Sequence, residues 1–137
     1  MNLHSLLGAR AAAGDPIRVG LIGAGKFGAM FLAQARRTPG LHVMAIADLD
    51  VDRAHLTCGR VGWPDEAHDA ADFAAAQRGG GCHITDDADA LIAADRLDVV
   101  IEATGRAPNT ALTITPRRRT AYGAITVFRP RTPPPGA

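Results

Sequence analysis

Six residues, Gly23-Ala24-Gly25-Lys26-Phe27-Gly28, follow directly on the apolar run Ile17-Arg18-Val19-Gly20-Leu21-Ile22. Glycines spaced G-x-G-x-x-G at such a place suit contact between a backbone turn and a pyrophosphate. Gly23 permits a tight turn out of a strand. Gly25 lacks a side chain, so a pyrophosphate can approach the backbone. Gly28 lets the following helix pack close to the sheet. Amide hydrogens at the start of that helix face the anion, and the helix dipole favours its charge. Asp48 stands 20 residues after Gly28 and closes a second apolar run, Leu41 to Ala47. Its carboxylate can accept hydrogen bonds from the hydroxyls of an adenosine ribose. Strand, glycine turn, helix, strand and acid together make the pattern of a dinucleotide-binding βαβ unit, with Gly23, Ala24, Gly25, Lys26, Phe27, Gly28 and Asp48 as its cofactor-binding residues.

Each assignment has a plainer alternative. The glycines can form a turn in some other α/β protein. Asp48 can cap the turn after its strand. The Lys26 amide can face a pyrophosphate while its side chain points to solvent. A carboxylate at position 48 repels a 2′-phosphate, which favours NAD over NADP, and Arg53, a few residues on, softens that rule and admits NADP. Replacing Asp48 with Ala is expected to weaken NAD binding and to disturb folding little. At the end of a later apolar run, Ala103-Thr104-Gly105 forms a small-residue loop that lets a nicotinamide ribose approach. Glu102 before it either bonds a ribose hydroxyl or faces solvent.

These residues need elements to position them. Leu3 to Ala13 has helical spacing and ends at Gly14. Ile17 to Ile22 reads as a strand covered on both faces, since it is apolar almost without interruption. Phe27, Met30, Phe31, Gln34 and Ala35 repeat at helical spacing, and Pro39-Gly40 stops that helix. Leu41 to Ala47 is the second strand, and Asp50 to Arg60 a helix with Asp50 as its N-cap. Trp63-Pro64 breaks the pattern, Asp69 to Gln77 suits a helical turn or two, and Gly79-Gly80-Gly81 reads as a loop. Cys82 to Thr85 is a third strand, Asp86 to Ala94 a helix with an acidic first turn, and Leu97 to Glu102 a fourth strand. Strands alternating with helices predict an α/β fold, a partial Rossmann-type, doubly wound parallel sheet of about four strands.

Composition narrows the class. At 137 residues there is room for one domain, and too little for a dehydrogenase with its own substrate half. A content of 47% hydrophobic and 21% charged residues argues against disorder. Only 4% are aromatic, so the core must be aliphatic and rich in alanine. No apolar run approaches the ~20 residues that span a bilayer. The first residues lack the basic, apolar and cleavage regions of a signal peptide. Two cysteines, Cys58 and Cys82, make neither a disulfide framework nor a metal site, and read as core thiols of a reduced cytoplasmic protein. His4, His42, His55, His68 and His83 show no metal spacing and read as surface or packing residues. No residue set suggests a catalytic nucleophile, acid or base.

Charge divides the chain. Residues 1–105 carry nine basic and fourteen acidic side chains, whereas 106–137 carry six arginines and no acid. Six of the nine prolines also fall after residue 105. Residues 1–105 therefore read as the dinucleotide-binding domain and 106–137 as an irregular Arg/Pro-rich tail, in which only Thr120 to Phe128 can form a strand. Arg117-Arg118-Arg119 carries no interleaved aromatics, which argues against a nucleic-acid site and for a solvated basic segment.

Two stretches, Ile17 to Gly28 and Asp98-Val99-Val100-Ile101-Glu102-Ala103-Thr104-Gly105, resemble the NAD(P)-binding domain of homoserine dehydrogenase-like oxidoreductases. The likeness is nearest to a bacterial subgroup whose longer members carry a C-terminal SAF domain, and Met1 to Leu7 and Ile84 to Ala88 also fit it. The resemblance covers about residues 1–105. It implies an NAD(P)-dependent enzyme that transfers a hydride to or from a small-molecule substrate, with its catalytic residues in a later domain and an oligomer possible in the intact enzyme. The chain departs from that pattern after Gly105, so the resemblance implies a truncated cofactor-binding portion, inactive alone, with an exposed sheet edge. A frameshift in a GC-rich gene would account for the tail, and fourteen Arg against one Lys is the usage of such a gene. The alternatives are a dinucleotide-sensing module whose basic tail contacts a partner, and the cofactor domain of a sugar-type oxidoreductase.

Overall fold

The computed structural model describes residues 3–94, 97–103, 119–122 and 125–128. Four strands, β1 (Ile17–Ile22), β2 (Leu41–Ala47), β3 (His83–Thr85) and β4 (Val99–Glu102), pair in parallel in the order β3-β2-β1-β4. The chain runs outward from β1 through β2 to β3, then crosses back to place β4 on the other side of β1. The arrangement is α/β and Rossmann-like, as the alternation of strand and helix predicts. Its topological switch point lies between β1 and β4.

Helices cover both faces. On one side lie α2 (Lys26–Ala35) and α3 (Val51–Arg60), over a core of Val19, Leu21, Leu32, Val43, Ile46, Cys58 and Ile101. On the other lie α4 (Phe73–Gly79) and α5 (Ala88–Ile92), over Ile22, Met44, Ala76, Leu91, Leu97 and Val100. Among the described residues seven buried alanines contribute, which bears out the alanine-rich core read from composition. The N-terminal helix α1 (Leu3–Ala12) buries Leu7 against the turn before β2, where a side chain on Gly40 would overlap the Leu7 backbone.

A bulge in β2 matters for the site. Val19 pairs with Val43, but Gly20 pairs with Ala45, so Met44 is an extra residue in the ladder. A bulge of this kind reverses the alternation beyond it. Val43 and Ile46 therefore share the α2/α3 face, whereas Met44, Ala45 and Ala47 share the other. Residue 48 follows the phase of Ile46 and leaves the sheet toward α2. Without the bulge it would leave toward the opposite face.

Two expectations change. Gly79 ends α4 rather than opening a loop, and Gly80 supplies the left-handed residue that terminates the helix, with φ of 76°. The window from 120 to 128, where one strand seemed feasible, holds most of a hairpin of β5 (Arg119–Tyr122) and β6 (Ile125–Phe128). β6 pairs antiparallel with β4, so the sheet edge expected to stand open beside β4 is occupied.

Candidate functional site

The turn between β1 and α2 is held from both sides. Gly23 takes φ of 94°, a left-handed conformation that glycine adopts at no steric cost. Its N–H donates to the Ala47 carbonyl at 2.8 Å and continues the β1–β2 ladder. The Ala24 N–H donates to Asp48 Oδ2 at 2.8 Å, and the Ala24 carbonyl accepts from Thr57 Oγ1 of α3 at 3.0 Å. Gly28 then brings α2 against the turn, where any Cβ would overlap the Gly23 carbonyl oxygen. Around the Cβ position of Gly25 there is open space. The tight turn at Gly23 and the close packing at Gly28 are as the sequence predicts.

The start of α2 differs from the starts of the three helices that follow. Asp50, Asp72 and Asp87 cap α3, α4 and α5, accepting from the amides of Arg53, Ala75 and Ala90 at 3.0, 2.7 and 3.0 Å. Gly25 caps α2 with no side-chain bond, and its first turn holds no acid. The first amides of any α-helix lack intrahelical acceptors, and its N-terminus carries partial positive charge. Lys26 adds a cation there, and both Lys26 and Phe27 are exposed. An anion fits this end of α2: open space above Gly25, no side-chain cap, a positive dipole end and no acid in the first turn, the nearby Asp48 carboxylate being engaged by the Ala24 amide and Arg53.

Asp48 is less available than its position suggests. It is 5% exposed. Oδ2 accepts from Ala24 N and Oδ1 from Asp50 N at 2.9 Å, and Arg53 Nη2 donates to Oδ2 at 2.8 Å and Oδ1 at 3.0 Å. Burial alone would raise its pKa, but Arg53 and the two amides outweigh burial and hold the carboxyl below its ordinary value. In turn Asp48 raises the pKa of the Arg53 guanidinium. Asp48 therefore clasps the glycine turn and its own turn, and Arg53 covers it.

Ala103 is buried at the end of β4, its N–H donating to Ile22 O at 2.8 Å. Thr104 and Gly105, the rest of the expected nicotinamide-side loop, lie outside the described residues. Glu102 is 2% exposed, which removes the reading in which it faces solvent.

Sequence reasoning missed what the histidines do. His55 and His68 meet Nδ1 to Nδ1 at 2.7 Å, joining α3 to the 3-10 turn Asp65–Ala67 and the residue after it. His42 Nε2 pairs with the Gly81 carbonyl at 2.6 Å and His83 Nδ1 with the Ala70 carbonyl at 2.8 Å. Buried Trp63 donates from Nε1 to Leu32 O at 3.2 Å, and the Arg36 guanidinium lies 5.9 Å from its ring centre. Together they fasten the irregular excursion between α3 and β3. No periodicity or motif signals them, because each pairs with a group 13 or more residues away. A cavity of about 140 Å³ beside Trp63, His42 and Arg36 lies at the far end of α2 from the glycine turn. Cys58 and Cys82 are buried thiols, as expected. Among the described residues no three histidine, cysteine or acidic side chains gather to hold a metal, and no helix is long and apolar enough to cross a membrane.

No protein-family model matches this chain, and no curated protein matches it in sequence.

Proposed function

We propose that the chain binds a nicotinamide dinucleotide, and that it is the cofactor-binding portion of an NAD(P)-dependent oxidoreductase of the homoserine dehydrogenase-like kind. The observation that carries the reading is the start of α2, uncapped and free of acids, set behind the glycine turn at the carboxyl edge of the central parallel strand. Ligands of open α/β sheets bind at that edge beside the switch point. The amides from Gly25 to Gly28 would hold the pyrophosphate, and the end of β2 would receive the adenosine ribose. The cofactor supplies the hydride chemistry when bound. The described residues contribute position and charge, and none is nominated to move a proton. Two free, buried cysteines suit a reduced cytoplasmic setting.

Gly25→Val tests the reading. Gly25 has φ of −80° and nothing near its Cβ position, so valine is tolerated by the fold. Its side chain would fill the space assigned to the pyrophosphate. Calorimetric titration with NAD should show binding to the parent chain and a loss of at least about tenfold in the variant, with an unchanged thermal midpoint. Equal affinity in the two chains refutes the placement of the pyrophosphate.

A further inference from the structure

Away from the glycine turn, His55 and His68 set two ring nitrogens of the same kind against each other. Their Nδ1 atoms are 2.7 Å apart and their ring centres 5.0 Å apart. A neutral imidazole carries one N–H and one lone pair, so one proton serves both Nδ1 atoms. His55 belongs to α3 and His68 follows the Asp65–Ala67 turn, so the pair bridges two separate parts of the fold. His68 is 6% exposed, and its Nε2 is buried with no hydrogen-bond partner. Asp65 Oδ1 lies 4.0 Å from that Nε2. His55 is only partly buried, which leaves the pair an approach from solvent.

We propose that His55 and His68 form a two-imidazole site for a divalent cation such as Zn²⁺, Cu²⁺ or Ni²⁺, which ties α3 to the turn at Asp65–Ala67. The inference is independent of the dinucleotide reading. These ions favour imidazole nitrogen. Two nitrogens on one tetrahedral ion, each at about 2.0–2.1 Å, stand about 3.3 Å apart, so the rings must part by roughly 0.6 Å. His55, partly exposed, has room to make that shift. The Asp65 carboxylate favours a proton on His68 Nε2, which leaves His68 Nδ1 as a lone pair. The proton on His55 Nδ1 passes to its own Nε2 as the ion binds, so the neutral pair loses none. A ligating histidine commonly gives its other N–H to a carboxylate, and Asp65 takes that place once the 4.0 Å gap closes. The charges of Asp65 and Asp69, which both act on His68, also favour a cation. Among the described residues no third histidine, cysteine or acid is placed to ligate. Water therefore fills the remaining positions, and the site binds less tightly than a closed four-ligand centre.

The test is calorimetric titration of the full, untagged chain with zinc chloride at pH 7.5, above the ordinary histidine range. One equivalent should bind and raise the thermal midpoint, because the ion finds its two ligands together only in the folded chain. His55→Gln and His68→Gln should each lower the affinity at least about tenfold and remove the midpoint shift, with circular dichroism to check that they fold. Asp65→Asn keeps both ligands at the cost of an exposed carboxylate, and should weaken binding by about tenfold. A readout on the parent chain covers the case in which a variant fails to fold: bound Cu²⁺ should show electron paramagnetic resonance coupling to two nitrogens. No binding at millimolar zinc overturns the inference. So does one-equivalent binding of unchanged affinity in either folded histidine variant, or a copper spectrum with fewer than two coupled nitrogens.

Discussion

The carboxylate of Asp48 accepts the amide hydrogen of Ala24 at 2.8 Å, so the acid that closes β2 holds the glycine turn that closes β1. Two features that the sequence offers as separate contacts for one ligand are bonded to each other. The residue at the expected ribose position is thereby part of the fold, and its substitution has consequences for stability as well as for binding.

Asp48→Ala should therefore destabilise the chain, contrary to the expectation that folding would be little disturbed. The change leaves the Ala24 amide buried without an acceptor and removes the acceptor of Asp50 N and the partner of Arg53. We expect a loss of about 3 kcal/mol, read from urea unfolding, with Asp48→Asn costing less because its carbonyl retains one acceptor. Since the folded pKa of Asp48 is depressed, its contribution is present above about pH 3.8, the ordinary value, and is lost as the pH falls through the folded value. A variant as stable as the parent would show that the clasp contributes nothing.

Two glycines in one motif should respond in opposite ways. Gly25→Ala places a methyl in open space, whereas Gly28→Ala drives one into the Gly23 carbonyl. We expect Gly25→Ala to stay within about 0.5 kcal/mol of the parent and Gly28→Ala to lose about 2–3 kcal/mol. Thermal unfolding of the pair decides. Similar midpoints would mean that α2 does not press on the turn as the structure has it.

The His55–His68 pair should make the chain sensitive to mild acid. A single proton lies between the two Nδ1 atoms, and a second turns the hydrogen bond into a repulsion. Burial, then the charge of His55, lowers the pKa of His68, while Asp65 and Asp69 oppose the shift. Burial likewise lowers that of His42. A histidine with a lowered folded pKa contributes stability that is present above pH 6.5 and lost as the pH falls from there through the folded value. The urea midpoint should thus drop between pH 7.5 and 5.5, with Trp63 fluorescence as a nearby reporter. In His68→Gln the drop should shrink. An identical drop in the two chains rules the pair out as its source.

Both thiols should be inert in the native state. Burial pushes the Cys58 thiol up to about 11 and raises Cys82 well above its ordinary value. Thiolate is the reactive form. An aromatic disulfide reagent at pH 8 should label neither cysteine until urea unfolds the chain, and then both. Prompt labelling of the folded chain would contradict their burial.

Much of the fold was legible because it depends on neighbours in sequence. The bounds of β1 and β2 follow from apolar runs cut off by Pro16, Gly23, Pro39 and Asp48. Asp50 announces the start of α3, and the places of Gly23, Gly25 and Gly28 follow from their order behind a strand. The stretch between α3 and β3 was harder. Trp63, with Pro64 after it, looks like a break in pattern and is in fact a buried anchor.

What the sequence by itself determined is the local structure: parallel strands, helices between them, a glycine turn behind the first strand, and an acid one strand away. Tertiary structure alone decided which of these groups face each other. The Met44 bulge turns residue 48 toward α2, and no alternation rule announces an extra residue in a ladder. Arg53 reaches Asp48 only because α3 begins where the β2 turn ends. His55 finds His68 only because the chain folds back after Trp63. Hydrogen bonds and ion pairs form at about 3 Å, whereas sequence patterns carry period and spacing along the chain. Contacts between distant residues are therefore set by how the helices pack on the sheet.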